Sequence, residues 1–321
     1  MIENAKVLVA GGSGFLGANL LLRLLSMGCD VRSTLRSDPI IKDDRIDYVY
    51  GDLSVLSNCR KAVSGIDCVF MMAANTSGAA VIANSPLDHV TPNVVMNAYM
   101  LQAAHEAGVK KFVFISSSVV YAESGNCWVK EEETMIGNPP SVYFSVGWMK
   151  RYAEILCQIY AQRVRDPMSC LVIRPSNIYG PYDKFSPEHS HVTAALIRKV
   201  TERQSPLEVW GTGEDVRDIL YVDDFIDGLL MAVERSENYL TLNLAYGKGY
   251  SVNHILQTIL DIDGYTDAVV QHNVAKPTTI PIRLMDTYKA KALLGWAPKV
   301  SLADGLGRTV AWYKENKDHV R

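Results

Sequence analysis

The 321-residue sequence contains no Cys-x-x-Cys pair, no block of basic residues and no apolar run near the roughly 18 residues of a membrane span. Each absence excludes something. The cysteines (Cys29, Cys59, Cys68, Cys127, Cys157 and Cys170) are scattered singly, so neither a metal site nor a disulfide framework is indicated. Reduced, mostly buried thiols in a cytoplasmic protein are expected. Acidic and basic residues are interspersed around a net charge of −3, which argues against nucleic-acid binding, since that needs a clustered positive face. A membrane partner is excluded by the same survey. The opening "MIENAKVLVAGGSG" runs into a strand within a few residues, leaving no room for a signal peptide. Repeats, low-complexity stretches and long linkers are also missing.

What is present reads as an ordinary globular chain, 48% hydrophobic and 21% charged. The first half alternates short apolar runs with helical patterns. "KVLVAGG", "DVRSTLR", "DCVFMMAA", "KKFVFISSS" and "SCLVIRP" read as strands. "FLGANLLLRLLSMG", "VVMNAYMLQAAHEAGV" and "VGWMKRYAEILCQIYAQRV" read as helices between them. Strands apolar on both faces, alternating with helices, predict an α/β fold with a doubly wound parallel sheet. After Pro175, Gly, Pro and aromatic residues punctuate shorter elements, predicting a smaller C-terminal α/β lobe that holds a substrate. One helix (224–234) and the strand "YLTLNLA" return to the sheet. The expected division is 1–174 plus 218–246 for the sheet domain and 175–217 plus 247–321 for the lobe.

"VLVAGGSGFLGANLLLRLL" sets Gly11, Gly14 and Gly17 between a strand and a helix. A side chain there would hold the backbone away from a pyrophosphate, and the helix N-terminus offers free N–H groups. The end of the second strand reports the cofactor. An acidic residue would hold the ribose of NAD, but Thr34 and Leu35 stand there, followed by Arg36. NADP is therefore expected, with NAD as the alternative; Arg36 faces the 2′-phosphate and Arg32 is a weaker choice. Asp52 ends the next strand, where it reaches the adenine or simply forms a turn.

These stretches, with "FVFISSSVVYAE", "RPSNIYGPYDKF", "VWGTGEDVRDILYVDDF" and "LLGWAPKVSLADGL" in order, resemble the extended short-chain dehydrogenase/reductase family over nearly the whole chain. The resemblance implies a Rossmann domain, a nicotinamide cofactor and a nucleotide-sugar substrate. Within the family the chain looks like the GDP-fucose synthases, which epimerise and then reduce a GDP-4-keto-6-deoxy sugar. The implied cofactor set is Gly11, Gly14, Phe15, Leu16, Gly17, Arg36, Asp52, Leu53, Ala73 and Lys150.

Family chemistry uses a Ser or Thr, a Tyr and a Lys. The Tyr exchanges a proton with the substrate oxygen, and the Lys stabilises its charge and holds the nicotinamide ribose. Ser117 matches the hydroxyl, and Lys150, in "KRYAEILCQIY", matches the lysine. The family's tyrosine would then be Val146, four residues before. It is not there. Tyr143 lies seven rises, roughly 10 Å, from Lys150 along an ideal helix, and the two side chains lean away from direct pairing. Either Tyr143 stands in an irregular first turn, or the segment bulges near Gly147, or the tyrosine is simply packing.

Two other positions discriminate reactions. Ser118 and Val119 follow Ser117 where the family's dehydratases and decarboxylases carry an acid, so elimination is disfavoured. The fucose synthases use a Cys near the serine and a His in the lobe for epimerisation; here the Cys position reads Val119, while "EHSHV" supplies His191. Asn177, Lys184, Arg217 and Arg283 are the implied sugar-nucleotide contacts, and a homodimer follows by analogy. The leading expectation is a nicotinamide-dependent oxidoreductase or epimerase of a GDP-linked keto-sugar. The alternatives are a nucleotide-binding member without turnover and an NADP-dependent reductase of a non-nucleotide ketone, since "VRSTLRSDP" also resembles the dihydroflavonol reductases.

Overall fold

The computed structural model describes residues 2, 5–75, 86–187, 190–276 and 278–318. The first unit is strand β1 (Lys6–Ala10), helix α1 (Phe15–Ser26), β2 (Asp30–Leu35), β3 (Ile46–Tyr50), α2 (Leu56–Val63) and β4 (Cys68–Met71). It continues with α3 (Pro86–Glu106), β5 (Lys111–Ile115), the two-residue β6 (Trp128–Val129), α4 (Phe144–Gln162) and β7 (Ser169–Pro175). The rest is β8 (Asn177–Tyr179), α5 (Val192–Thr201), β9 (Leu207–Trp210), β10 (Val216–Tyr221), α6 (Val222–Arg235), β11 (Tyr239–Leu244), β12 (Gly249–Ser251), α7 (Val252–Asp263), β13 (Val270–Asn273), β14 (Ile282–Met285), α8 (Tyr288–Leu294) and α9 (Leu302–Asn316).

Seven strands form one sheet in the order β11-β7-β5-β4-β1-β2-β3, and every pair in it is parallel. The chain winds one way from β1 through β3 and the other way from β4 onward. The strand order therefore reverses between β1 and β4, which opens a crevice at their carboxyl ends. The doubly wound parallel sheet expected from the sequence is thus present.

Alternation inside each strand explains why helices cover both faces. Val7 and Val9 of β1, Phe70 of β4, Val113 of β5 and Leu171 of β7 join one core with α1 and α6. Their neighbours Leu8, Val69, Phe112 and Cys170 join the opposite core with α2, α3 and α4. Each fully buried aliphatic side chain contributes about 1.5–3 kcal/mol, so both faces are strongly specified. The first core continues into the smaller lobe through Ile197, Leu256 and Val310, so that lobe is seated on the sheet rather than hung from it. There β10 pairs with β8 and β14 in parallel and with β12 antiparallel, while β9 and β13 form a separate pair.

Two expectations differ from the structure. The lobe holds the helices α5, α7, α8 and α9, which the sequence reading did not name, while the expected helix packs on the sheet and spans Val222–Arg235. Gly and aromatic punctuation at the helix ends hid these elements; Gly264 and Gly295 are left-handed caps that close α7 and α8. Helix α3 begins at Pro86, eight residues earlier than its apolar periodicity suggested, and runs through Pro92. Proline lacks an N–H, so the carbonyl of Asp88 has no helical partner. Asn75 Nδ2 donates to that carbonyl at 2.9 Å.

A buried polar cluster ties β7, α4 and β11 together. The Arg174 guanidinium at the end of β7 holds both oxygens of Glu154 on α4, at 3.0 and 2.7 Å, and donates to the Tyr121 hydroxyl at 3.0 Å and the Glu131 carbonyl at 2.9 Å. Tyr121 donates in turn to Asn243 Oδ1 of β11 at 2.6 Å. Removing one member of a buried ion pair leaves an uncompensated charge, which costs about 3–5 kcal/mol. Glu154→Leu is therefore expected to lower unfolding stability by about that amount in urea titration. Loss of under 1 kcal/mol would show that the cluster tolerates a lone guanidinium.

Candidate active site

The glycine turn sits at the sheet's switch point, and each glycine has a distinct steric reason. A Cβ on Gly11 (φ +90°) would stand 2.7 Å from the Ala73 backbone, so only glycine lets the ends of β1 and β4 meet. A Cβ on Gly17 would stand 2.2 Å from the Gly11 carbonyl oxygen, which lets α1 start hard against the turn. Gly14 is the N-cap of α1 and supplies no side-chain acceptor to the first-turn N–H groups, those of Phe15 and Leu16 among them. That arrangement suits the pyrophosphate of a dinucleotide.

At the end of β2, Thr34 is buried and its Oγ1 accepts from the Gly11 N–H at 3.0 Å. Thr34 therefore braces the turn, and the exposed Arg36 follows at the rim. Across from it, Asp52 Oδ1 accepts from the Ser54 N–H at 2.8 Å. Those Ser54 hydrogen bonds, with a smaller contribution from Arg36, hold the Asp52 carboxyl below its ordinary range. Asp52 is thus a turn-forming residue beside Arg36, with Leu53 buried behind it. Beyond the end of β4 the chain runs to Asn75, which exchanges hydrogen bonds with Asn93 of α3 at 2.8 and 2.9 Å.

Across the crevice, β5 ends at Ile115 and three serines follow. Ser116 is buried and donates to Glu154. Ser117 is half-buried in extended backbone (φ −167°), and its Oγ accepts from the Val119 N–H at 3.4 Å, capping a single 3-10 turn. Lys150 Nζ donates to the Ile115 carbonyl at 2.7 Å and lies 4.8 Å from the centre of the Phe114 ring. Surrounding protein pushes its ammonium down to about 8, against the opposing pull of Glu154 and Cys157. The residue as a whole is half-buried.

Tyr143 closes a 3-10 turn (Ser141–Tyr143) and is the N-cap of α4, which then runs without a break through Gly147. The irregular first turn is therefore present and the bulge is not. A Cβ on Gly147 would stand 2.4 Å from Pro139 and 2.7 Å from the Val119 carbonyl, so this glycine lets α4 press against the Ser117 turn. Val146 is buried, leaving no hydroxyl at the position four before the lysine.

In the lobe, His191 is the N-cap of α5 and its side chain makes no capping bond. The ring is exposed to solvent yet stands in a recess, where desolvation first and then Lys184 lower its affinity for a proton. Lys184 is itself lowered, by burial foremost and by Arg36 among its charged neighbours, so Lys184 lies within electrostatic reach of both Arg36 and His191. Asn19 Nδ2 of α1 donates to the Pro181 carbonyl at 2.9 Å, which seats this segment over the glycine turn. Asn177 is exposed on β8. Arg217 is engaged nearby, donating to the Ile280 carbonyl at 2.7 Å and to Asp215 at 2.9 Å. Arg283 is buried and donates to the carbonyls of Ala122 at 2.8 Å and Tyr121 at 3.3 Å.

Several residues that position this site were not singled out in the sequence. Arg151 donates to the carbonyls of Val120 at 2.7 Å and Gly137 at 2.8 Å. An arginine closing the apolar run "CLVIR" was the visible sign of the Arg174 cluster. His89 of α3 is buried with an unpartnered Nδ1, and burial, then Lys150, lowers its proton affinity. A recess of about 380 Å³ lined by Ile2, Cys68, Lys111 and Val233 lies at the opposite, N-terminal end of the strands, away from where open α/β sheets take ligands. Among the described residues, no helix is long and apolar enough to cross a membrane, and no group of three His, Cys, Asp or Glu is placed to hold a metal ion.

The NAD dependent epimerase/dehydratase family matches residues 7–245. GDP-L-fucose synthase 1 of Arabidopsis thaliana is 28% identical, covering 98% of this chain and 94% of its own. GDP-mannose 3,5-epimerase 1 of Oryza sativa subsp. japonica is 29% identical over 98% of this chain and 82% of its own. Among solved structures, UDP-glucose 4-epimerase of Thermotoga maritima, held with UDP-glucose, superposes with a TM-score of 0.86 at 27% identity, covering 97% and 99% of the two chains.

Lys150 gives a pH signature. Its native proton is lost at lower pH than in the unfolded chain, so the charge is present below about 8 and gone above it. Affinity for the dinucleotide, followed by fluorescence titration, is expected to fall as pH passes that value. Lys150→Arg, which stays charged, should flatten the profile; an equal decline in both proteins would acquit Lys150.

Proposed function

The chain belongs to the NAD dependent epimerase/dehydratase family, and on that premise we propose that it is a nicotinamide-dependent oxidoreductase or epimerase of a nucleotide-linked keto-sugar, with a GDP-sugar favoured. The observation that carries the reading is Lys150 of α4, whose Nζ is held on the Ile115 carbonyl at the carboxyl end of β5, two residues before Ser117 in the chain. The residues fit a dinucleotide: the uncapped first turn of α1 takes the pyrophosphate, and Gly11 packed against Ala73 keeps the turn tight at the ends of β1 and β4. Phe15, Leu16 and Leu53 line the same side. Arg36 favours the 2′-phosphate of NADP over NAD, and Asp52 lies at the adenine end.

When bound, the cofactor supplies or accepts the hydride. Ser117 orients the sugar carbonyl by donating from its hydroxyl. Lys150 holds the nicotinamide ribose and provides positive charge where the oxygen gains negative charge. Tyr143, or a water it orders, gives the proton to that oxygen. His191, open to solvent and held neutral by its recess, is the acid–base group for inversion at a neighbouring carbon. Asn177, Lys184 and Arg217 receive the nucleotide diphosphate side of the substrate; both named relatives act on GDP sugars, as their names state.

Buried Val146, with no hydroxyl to offer, favours one second reading: a member that binds nucleotide without turnover. Mass spectrometry in D2O with NADPH and GDP-, UDP- and dTDP-4-keto sugars separates the cases. NADPH consumption with a two-hydrogen gain in a GDP sugar is expected, and Tyr143→Phe should lower kcat by about 100-fold. Deuterium uptake without reduction would make the protein an epimerase. Bound cofactor with every sugar unchanged would leave only the binding reading.

The same reading includes a symmetric homodimer through α4. Phe144, Trp148, Tyr152 and Ile159 recur along one exposed face of that helix. Light scattering after size exclusion is expected to give twice the chain mass, and Tyr152→Glu should yield monomer. A monomeric parent protein would remove this part of the reading.

A further inference from the structure

We propose that His89 is a proton-operated latch on the wall of the crevice: neutral, it seats the first turn of α3 against the exit of β4, and on taking up a proton it lets that turn open. The inference rests on the reading of the crevice as a dinucleotide site.

The seat is built from four hydrogen bonds. Asn93 Oδ1 accepts from the Asn75 N–H at 2.8 Å, and Asn93 Nδ2 donates to the Asn75 carbonyl at 2.9 Å. The same Nδ2 donates to the His89 carbonyl at 2.6 Å, and Asn75 Nδ2 returns to the Asp88 carbonyl at 2.9 Å. On the sheet side, the Met72 N–H donates to the Ala10 carbonyl at 3.0 Å. Ala73, against which Gly11 packs, is therefore strung between a bond to β1 and the Asn75 seat. A displacement of residues 88 and 89 acts on the glycine turn through Asn75.

His89 makes that seat sensitive to acid. The residue is 5% exposed, and its Nδ1 is buried with no hydrogen-bond partner. An imidazolium carries two N–H donors, so a charged ring would leave the Nδ1–H without an acceptor inside the protein. The ring also stands at the N-terminal end of a 21-residue helix, where the helix dipole disfavours a cation. Burial foremost, and then the Lys150 ammonium of α4, make it a weaker base than an ordinary histidine. Asp88, its neighbour in the chain, is exposed, and residues 76–85 hold no titratable side chain. An open ring takes its proton near the ordinary value of about 6.5, and a closed one only at lower pH, so acid favours opening.

Hydrogen exchange followed by mass spectrometry tests the latch on the wild-type chain. Between pH 7.5 and pH 5.5, protection of the peptides holding Asn75 and residues 90–95, corrected for intrinsic exchange, is expected to fall about tenfold. Leu306 to Val310 of α9 should keep theirs. His89→Phe, which keeps an aromatic ring but cannot charge, should abolish the fall, and His191→Gln should leave it intact. Saturating NADP+ at pH 5.5 should restore protection to the same peptides. Equal protection at both pH values, or an equal fall in His89→Phe, would overturn the latch. NADP+ that binds by calorimetry yet leaves Asn75 unprotected would overturn its coupling to the crevice. A chain that binds no dinucleotide at either pH refutes the reading of the crevice instead, whatever its exchange shows.

Discussion

The buried pair of Glu154 and Arg174 is the constraint on which the site depends. A guanidinium and a carboxylate, each almost without solvent, are stable only when their remaining hydrogen-bonding capacity is filled. Burial lowers the proton affinity of Arg174, but Glu154 and then Tyr121 outweigh it and hold the net effect upward. Filling that capacity recruits Ser116 from the end of β5, Tyr121 from the next loop and Asn243 from β11. Asn243 in turn takes Glu131 and the carbonyls of Val129 and Asp286. The position of Ser117 follows from this. Its neighbour is locked downward into the cluster, so Ser117 is the serine left at the mouth.

A second consequence concerns charge. Lys150 stands four residues before Glu154, one turn away on the same helix, yet donates to a carbonyl and not to that carboxylate. Because Arg174 holds both Glu154 oxygens, the lysine is left with a neutral partner in a desolvated recess, which is why its proton is held weakly. Structural charge pairing below the site thus sets the chemistry at its surface. Val146 completes the picture: an apolar side chain at that turn leaves the lysine without a phenol beside it.

Much of this was legible in the sequence because it depends on local rules. Gly11, Gly14 and Gly17 announce a turn that only glycine permits, and strands apolar on both faces announce a parallel sheet. Arg36 was marked as a cofactor candidate by what precedes it, two uncharged residues where an acid would stand, and it lies exposed at the rim. Other features depend on partners distant in the chain and leave no local mark. The Asp88 carbonyl freed by Pro92 is met by Asn75, so a proline that reads as a helix boundary became a helix interior. The role of Thr34 was hidden for the same reason, since its hydroxyl serves Gly11, 23 residues away. Arg217 and Arg283 were sugar-nucleotide contacts only by the family resemblance; their carbonyl acceptors, distant in the chain, reveal how each is held.

The sheet order also has a temporal meaning. Strand β11 completes the parallel sheet beside β7, yet it is made only after β8, β9, β10, α5 and α6 have passed. Pairings across such separations close large loops and come late in folding. A ribosome-bound chain ending near β7 would own the glycine turn, Ser117 and Lys150 while still lacking Asn243 and the Asp286 carbonyl beneath them. The nascent protein therefore carries its recognisable residues long before they are rigid. Their buried partners exist only once β11 and the segment through Asp286 have been made.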